Sequence, residues 1–258
     1  MVEMDKNKKS VIVLVGSSAE KNSNTGKLCV TFLDELKKSA YSQGSLIQSE
    51  ILYPSDWNIM PCRSCGTCFR KGFCPLDQKD GMAMLKNKIR KSDGIIFASP
   101  VYAAAVSGDM KILVDRLAGW LHTMPLIGKT AGVFSTADSN NGDAVTSYLN
   151  KMVGLMGASI VISQNVFIHF GTLLLKDDEL LNSVLKEGAV KFWEGMGGKL
   201  EYNLEQEEYF HIQNLRFHKL LEIEQQYPGL SFGEKRIWEE QGYFKYNSLQ
   251  EVIREKNI

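Results

Sequence analysis

Short apolar runs of strand length alternate with longer stretches of helical periodicity along the first two thirds of the chain. The apolar runs lie at 10–16, 46–53, 94–100, 131–136 and 158–163. Segments with helical periodicity fill the gaps at 25–43, 82–91, 110–122 and 144–156. This alternation is typical of a parallel sheet whose strands are joined by crossover helices. The pattern therefore predicts an α/β fold with a doubly wound, five-stranded parallel sheet.

The pattern changes near residue 200, where long polar helices carry scattered aromatic residues. We predict a main domain over 1–200, which includes a cysteine-rich loop at 62–74, and a helical C-terminal arm over 201–258. The arm has too few apolar positions to build a core alone, so we expect it to pack on the main domain or on a second copy of the chain. Five of its aromatic residues are candidates for burial in a homodimer or homotetramer: Tyr209, Phe210, Phe217, Trp238 and Phe244.

Composition and charge narrow the classes of partner. The 258 residues are 44% hydrophobic, and 30 Lys and Arg balance 30 Asp and Glu, so no overall field attracts nucleic acid or an acidic membrane. The only apolar run near the start, Val11 to Val15, is too short for a signal peptide or a membrane span. We expect a cytoplasmic protein that binds neither nucleic acid nor a membrane.

A polar loop between Gly16 and Thr25 joins the first apolar run to a helix. Its candidate anion-binding residues are Ser17, Ser18, Ser23, Asn24 and Thr25. The start of a helix offers unpaired backbone N–H groups and the positive end of its dipole, and the hydroxyls add uncharged donors. The spacing matches neither the GxGxxG loop for dinucleotides nor the GxxxxGK(S/T) loop for nucleoside triphosphates. Two interpretations stay open here: a phosphate monoester site, or a turn that ends in an N-cap.

Four of the five cysteines form the strongest chemical signal of the sequence. They follow the second apolar run with the spacing Cys62-x2-Cys65-x2-Cys68-x5-Cys74. Three thiols at successive x2 spacings suit three corners of a cubane iron-sulfur cluster, whereas zinc usually takes two separated pairs. Neighbouring Arg and Lys residues can offset the negative charge of such a cluster. A cluster is favoured, and free thiols or zinc are the alternatives.

The segment that follows the third apolar run begins at the carboxyl edge of the predicted sheet, where doubly wound folds bind their ligands. There the chain resembles the NADPH-dependent FMN reductase and iron-sulfur flavoprotein branch of the flavodoxin-like superfamily. The cysteine run and the following residues carry the resemblance: Gly16, Ser17, Asn22 to Thr25, Ser99 to Tyr102, Ser107, Gly108, Met110, Lys111, Asp115 and Arg116.

The resemblance implies a flavodoxin-like fold with strand order 2-1-3-4-5, and FMN with its phosphate in the first loop. It implies that the flavin ring meets Ser99, Pro100, Val101 and Tyr102, and that a second loop with Thr136, Ala137, Asp138 and Gly142 reaches the pyrimidine side of the ring. It also implies a 4Fe-4S cluster on Cys62, Cys65, Cys68 and Cys74. The chain departs from the family where Ala19 and Glu20 replace an arginine that relatives often carry, so phosphate binding would depend on hydroxyls and amides.

These observations predict an FMN-dependent oxidoreductase whose cofactors carry the chemistry. NAD(P)H or a ferredoxin-like protein would supply electrons to a quinone, a nitro compound or a small metabolite. The main alternative is an electron carrier between protein partners, and a third is a redox-sensing or interaction protein. His122, which follows the flavin segment, is a candidate proton donor. Relatives build the flavin pocket at a subunit interface, which supports the prediction of an oligomer.

Overall fold

The computed structural model describes residues 8–17, 22–168 and 179–256. Its strands are β1 Lys8–Val15, β2 Leu46–Leu52, β3 Gly94–Tyr102, β4 Ala105–Val106, β5 Thr130–Ala137 and β6 Ser159–Phe167. Five strands are parallel in the order β2-β1-β3-β5-β6, and β4 pairs antiparallel with the end of β3. The predicted fold and strand order are confirmed. The described residues form six strands, whereas the pattern predicts five. The sixth is β4, whose two residues are too few to produce a hydrophobic pattern.

Of the described helices, seven lie between strands and four follow the last strand. They are α1 Asn24–Tyr41, α2 Pro54–Trp57, α3 Thr67–Lys71, α4 Met82–Lys91, α5 Gly108–Arg116, α6 Ala118–Thr123, α7 Gly142–Leu155, α8 Glu179–Met196, α9 Leu204–Gln226, α10 Gly233–Glu240 and α11 Leu249–Lys256. The single helix predicted over 110–122 is wrong, because Leu117 leaves the helical conformation between α5 and α6. None of the described helices is long and apolar enough to cross a membrane.

The sheet separates two apolar layers. Successive side chains of a strand point to opposite faces, so Ile12 and Leu14 of β1 pack with α4 to α7, while Val11 and Val13 pack with α1 and α8. β1 is therefore buried on both faces, as a central parallel strand requires. This arrangement places the carboxyl ends of β1, β3 and β5 at one edge of the sheet.

The C-terminal arm supplies most of a third apolar cluster, which Met124 and Ile127 of the main part of the chain complete. Trp238 is fully buried, with ring centroids 4.9 Å from Phe217, 5.3 Å from Phe210 and 5.0 Å from Tyr243. Phe210 and Phe217 come from α9, Trp238 from α10 and Tyr243 from the residues just after α10, so no single helical stripe predicts the cluster. Because these rings are buried within one chain, they give no reason for an oligomer, and a homodimer or homotetramer stays a prediction.

Asp93 ties the start of β3 to β1. Its carboxylate accepts hydrogen bonds from the backbone N–H and the hydroxyl of Ser10 at 2.7 and 3.0 Å, and the Lys9 ammonium lies 3.3 Å away. Burial works to raise the pKa of Asp93, but the bonds from Ser10 and the charge of Lys9 outweigh it and hold the pKa below its usual value.

We expect Asp93→Asn to lower the free energy of unfolding by about 1 kcal/mol at pH 7 and by less at pH 4. A carboxylate whose pKa is lowered by folding stabilises the protein fully above about pH 5, and this contribution disappears as the pH falls through about 4 and below. Urea unfolding of both proteins at the two pH values measures the effect, with exposed Asp34→Asn as the control. An equal loss at both pH values would contradict the assignment.

Candidate functional site

A cleft of about 300 Å³ opens at the carboxyl edge of the sheet. It is lined by Ser17, Asn22, Ser23, Asn24, Thr25, Pro100, Val101, Tyr102, Thr136, Asp138 and Ile168. The structure thus brings together residues from the first loop, the end of β3 and the end of β5, three segments that the sequence singled out separately. Ser18 lies outside the described residues.

Hydrogen bonds join the first loop to β3 and to β5. The Gly16 N–H donates to the Ala98 carbonyl at 2.8 Å, and a Cβ on Gly16 would lie 2.7 Å from Met110 Cβ. Ser23 caps α1, because its hydroxyl oxygen accepts the Gly26 N–H at 3.0 Å. The buried hydroxyls of Thr25 and Thr136 are 2.6 Å apart, which joins the loop to the end of β5. No acidic residue lies in the first turn of α1, so the positive end of its dipole faces hydroxyl groups.

A tight hairpin forms the opposite lip of the cleft. Tyr102 pairs with Ala105, and the two residues between them, Ala103 and Ala104, have φ values of 48° and 62°. A two-residue turn of this kind needs a positive φ at both positions, which strains alanine. The hairpin holds Tyr102 with its side chain 58% exposed at the edge of the cleft.

Three predicted residues lie behind the cleft and not in its lining. Ser99 is fully buried, and its hydroxyl donates to the Pro100 carbonyl at 2.8 Å and accepts the Ser107 N–H at 3.0 Å. Ala137 is buried, and Gly142 is so close to Asn165 that a Cβ would lie 1.7 Å from Asn165 Oδ1. These residues shape the loops that carry the lining. Ile168 joins the lining without any sequence signal, because its N–H continues the sheet by donating to the Ala137 carbonyl at 2.7 Å.

A comparison with protein families covers the part of the chain that forms this cleft. The family model described as NADPH-dependent FMN reductase matches residues 10–172, which contain the whole cleft lining and, apart from the first two residues of β1, every described strand. The chain belongs to this family. Membership makes it an FMN-dependent oxidoreductase.

Two relatives and one solved structure are similar to this member of the FMN reductase family over most of their own length. An iron-sulfur flavoprotein of Archaeoglobus fulgidus is 29% identical over 88% of this chain and 96% of its own length. An iron-sulfur flavoprotein of Methanosarcina thermophila is 29% identical over 61% of this chain and 78% of its own length. An oxidoreductase structure from Corynebacterium diphtheriae aligns with a TM-score of 0.57 at 18% identity, over 75% of this chain and 99% of that one, and shares the fold.

A second pocket, of about 350 Å³, contains all four cysteines of the cysteine run. Cys62 and Cys65 are exposed, Cys68 and Cys74 are half-buried, and the fifth cysteine, Cys29, is buried elsewhere. Within the described residues, no three His, Cys, Asp or Glu side chains converge tightly enough to hold a single metal ion. The hydrogen bond between Cys65 and Thr67, 3.3 Å long, lowers the pKa of Cys65, while burial raises the pKa of Cys68.

A buried ion-pair network holds the cysteine loop on α5. The Arg116 side chain is fully buried, and its two Nη atoms donate to the Met60 carbonyl at 2.8 Å, to Asp77 at 2.9 Å and to Asp80. Asp80 also accepts the Met60 and Met82 N–H groups at 2.9 and 3.0 Å. No local pattern predicts this network, because Asp77 and Asp80 are separated from Arg116 by more than 35 residues in the sequence.

The C-terminal arm closes over the other side of the cysteine loop. A Cβ on Gly233, at the start of α10, would lie 1.9 Å from the carbonyl carbon of Lys71, so the two backbones touch. Beside this contact, His122 Nδ1 is 2.9 Å from the buried Glu234, and the His122 ring centroid is 5.0 Å from that of Phe69. His122 therefore sits beside the cysteine helix α3, and it does not line the flavin cleft. Its role as a proton donor stays a prediction.

We expect Gly233→Ala to lower the free energy of unfolding by about 2 kcal/mol, because the added methyl group forces two backbones apart. Gly108→Ala is the matched control. A Cβ on Gly108, at the start of α5, meets nothing within 4 Å, so this variant should lose no stability. Chemical unfolding measures both variants, and equal stabilities for them would contradict the described contact.

Proposed function

We propose that this FMN-dependent oxidoreductase carries a 4Fe-4S cluster on Cys62, Cys65, Cys68 and Cys74, and that the cluster exchanges electrons with the flavin. The observation that carries the proposal is the gathering of all four thiols around one pocket, at the far end of the helix that starts beside the flavin cleft. α5 has nine residues and so spans about 14 Å at about 1.5 Å per residue. The iron-sulfur names of the curated relatives support the same cofactor.

The cleft residues suit FMN in both charge and shape. Ser17, Ser23, Asn24 and Thr25 would hold the phosphate at the positive end of α1 with uncharged donors. Pro100, Val101 and Tyr102 would contact the isoalloxazine ring, and Thr136 and Asp138 its pyrimidine side. Bound FMN supplies one- and two-electron chemistry, so the protein needs only to bind and orient the ring.

The cysteine pocket suits a cluster better than a single zinc ion. The thiols surround a cavity instead of converging on one point, and a cubane cluster needs one ligand at each of its four irons. Arg63 lines the pocket and Arg70 Nη2 donates to the Cys65 carbonyl at 2.6 Å, so two positive charges lie near the thiols. The lowered pKa of Cys65 favours the thiolate form that iron binds.

The reductase function is supported by the open side of the cleft. Tyr102 is largely exposed, which leaves a path for NAD(P)H and for a small acceptor such as a quinone, a nitro compound or a metabolite. The electron-carrier function has its own support in the surface of the cysteine loop. Phe69 and Phe73 are 39% and 55% exposed there, next to Arg70 and Lys71, a combination that suits an acidic redox protein such as a ferredoxin.

We expect Thr25→Val to weaken FMN binding about tenfold, which is the loss of about 1.4 kcal/mol of hydrogen bonding. The variant keeps the shape of the side chain and removes the hydroxyl at the base of the phosphate loop. Thr31→Val, the same change on the exposed side of α1, should leave the dissociation constant unchanged. Titration of the flavin-free protein with FMN, followed by flavin fluorescence, measures both. Equal affinity in the two variants would remove Thr25 from the site.

Anaerobic mixing distinguishes the two functions. A reductase loses its oxidised flavin absorbance when NADPH or NADH is added, and then regains it when a quinone or a nitro compound follows. An electron carrier keeps its absorbance with either nucleotide and loses it rapidly with a reduced ferredoxin. We expect the first result. Reduction by ferredoxin alone would contradict the reductase proposal and support the carrier.

A further inference from the structure

One atom of the Arg116 network has no partner. Both Nη atoms of Arg116 are fully engaged by Met60, Asp77 and Asp80, but its Nε–H, which is buried, makes no hydrogen bond with any described residue. The side chain is fully buried, and the residue lines the cysteine pocket. Among the buried side-chain nitrogen and oxygen atoms of the described lining residues, Arg116 Nε alone lacks a partner.

A buried donor of this kind calls for an acceptor. A buried N–H without a hydrogen bond costs about 1–3 kcal/mol, and more when it belongs to a charged group. Folded proteins leave very few such groups, and those they leave commonly face a ligand, an ion or a water. The other atoms of the guanidinium are held by two carboxylates and a carbonyl, which fixes its plane and prevents Nε from turning to another partner.

We propose that Arg116 donates its Nε–H to a sulfur atom of the cluster in the cysteine pocket, either a cysteine thiolate or an inorganic sulfide. This inference rests on the proposed function, because the acceptor belongs to the cluster. Sulfur atoms of an iron-sulfur cluster carry negative charge and accept hydrogen bonds from the surrounding protein. Arg116 thereby has two tasks: it holds the cysteine loop on α5, and it contacts the cofactor that the loop binds.

The electrostatics of the pocket support a charged donor at this point. Burial works to lower the pKa of Arg116, but the hydrogen bonds to Asp80 and Asp77 outweigh it and raise the pKa further above its ordinary value. The guanidinium therefore stays positive wherever the protein is folded. Arg116 and Cys74 both line the pocket, so the positive charge adjoins the cavity that the four thiols surround.

The contact would affect the reduction potential of the cluster. Reduction adds negative charge, and a hydrogen bond from a positive group stabilises the more negative state. Loss of the bond should therefore make the midpoint potential more negative. The exposed Arg63 should influence the potential much less, because solvent screens its charge.

The direct test needs no substitution. Protein grown with arginine labelled with ¹⁵N at Nε only is purified without oxygen and reduced, and pulsed EPR on the paramagnetic cluster looks for coupling to ¹⁵N. We expect a coupling from this label and a much weaker one from protein labelled only at the two Nη atoms. Arg63→Lys, Arg70→Lys and Arg90→Lys, which replace the other arginines near the loop, should keep the coupling. This assigns the signal to Arg116 even if Arg116→Lys fails to fold; if it folds, Arg116→Lys should lose the coupling and lower the potential.

The possible results distinguish the role of Arg116 from the presence of the cluster on which that role depends. Iron in the protein without Nε coupling, or a coupling that disappears with Arg63, Arg70 or Arg90, overturns the role of Arg116 and leaves the cluster in place. Absence of iron from the anaerobically purified protein overturns both the cluster and the role of Arg116.

Discussion

The buried ion pairs of Arg116 with Asp77 and Asp80 fix the spatial relation between the two pockets of this chain. Arg116 ends α5, and α5 begins directly after the hairpin that carries Tyr102. At the other end of the helix, Met110 and Ser107 pack so closely on Gly16 that any side chain at position 16 would collide with them. One short helix is therefore held at its start by the first loop and at its end by the cysteine loop. A shift at either end would change the separation of the proposed cofactors.

Breaking such a network lowers the free energy of unfolding, because a charged group stays buried without its partner. Removal of one partner from a buried ion pair leaves an uncompensated charge, which typically destabilises a protein by about 3–5 kcal/mol. The network is thus a means of specifying geometry more than a source of net stability. The C-terminal arm supports it from outside, since Gly233 rests on the cysteine helix α3 and Trp238 anchors α10 in its aromatic cluster. The arm, which has no part in the flavin cleft lining, thereby helps to hold the cysteine loop.

Much of the fold could be predicted from the sequence, because parallel strands buried on both faces leave continuous apolar runs. All five parallel strands were found this way, and the resemblance supplied their order. β4 and the break at Leu117 were missed, since each depends on one or two residues whose conformation is set by tertiary contacts. Most residues that line the cleft belong to segments that the polar first loop and the resemblance singled out, and their contact with FMN stays a prediction. The Arg116 network and the pairing of His122 with Glu234 were not predicted, because side chains far apart in sequence leave no periodic pattern.

On this proposal, one chain holds FMN at the sheet edge and a cluster in the cysteine pocket. The most direct measurement is the content of FMN, iron and acid-labile sulfide per chain in a single anaerobically purified sample, compared with a Cys68→Ser variant. We expect about one FMN, four iron and four sulfide in the unmodified protein, and FMN with little iron in the variant. FMN with no iron in the unmodified protein, or zinc in its place, would contradict the account.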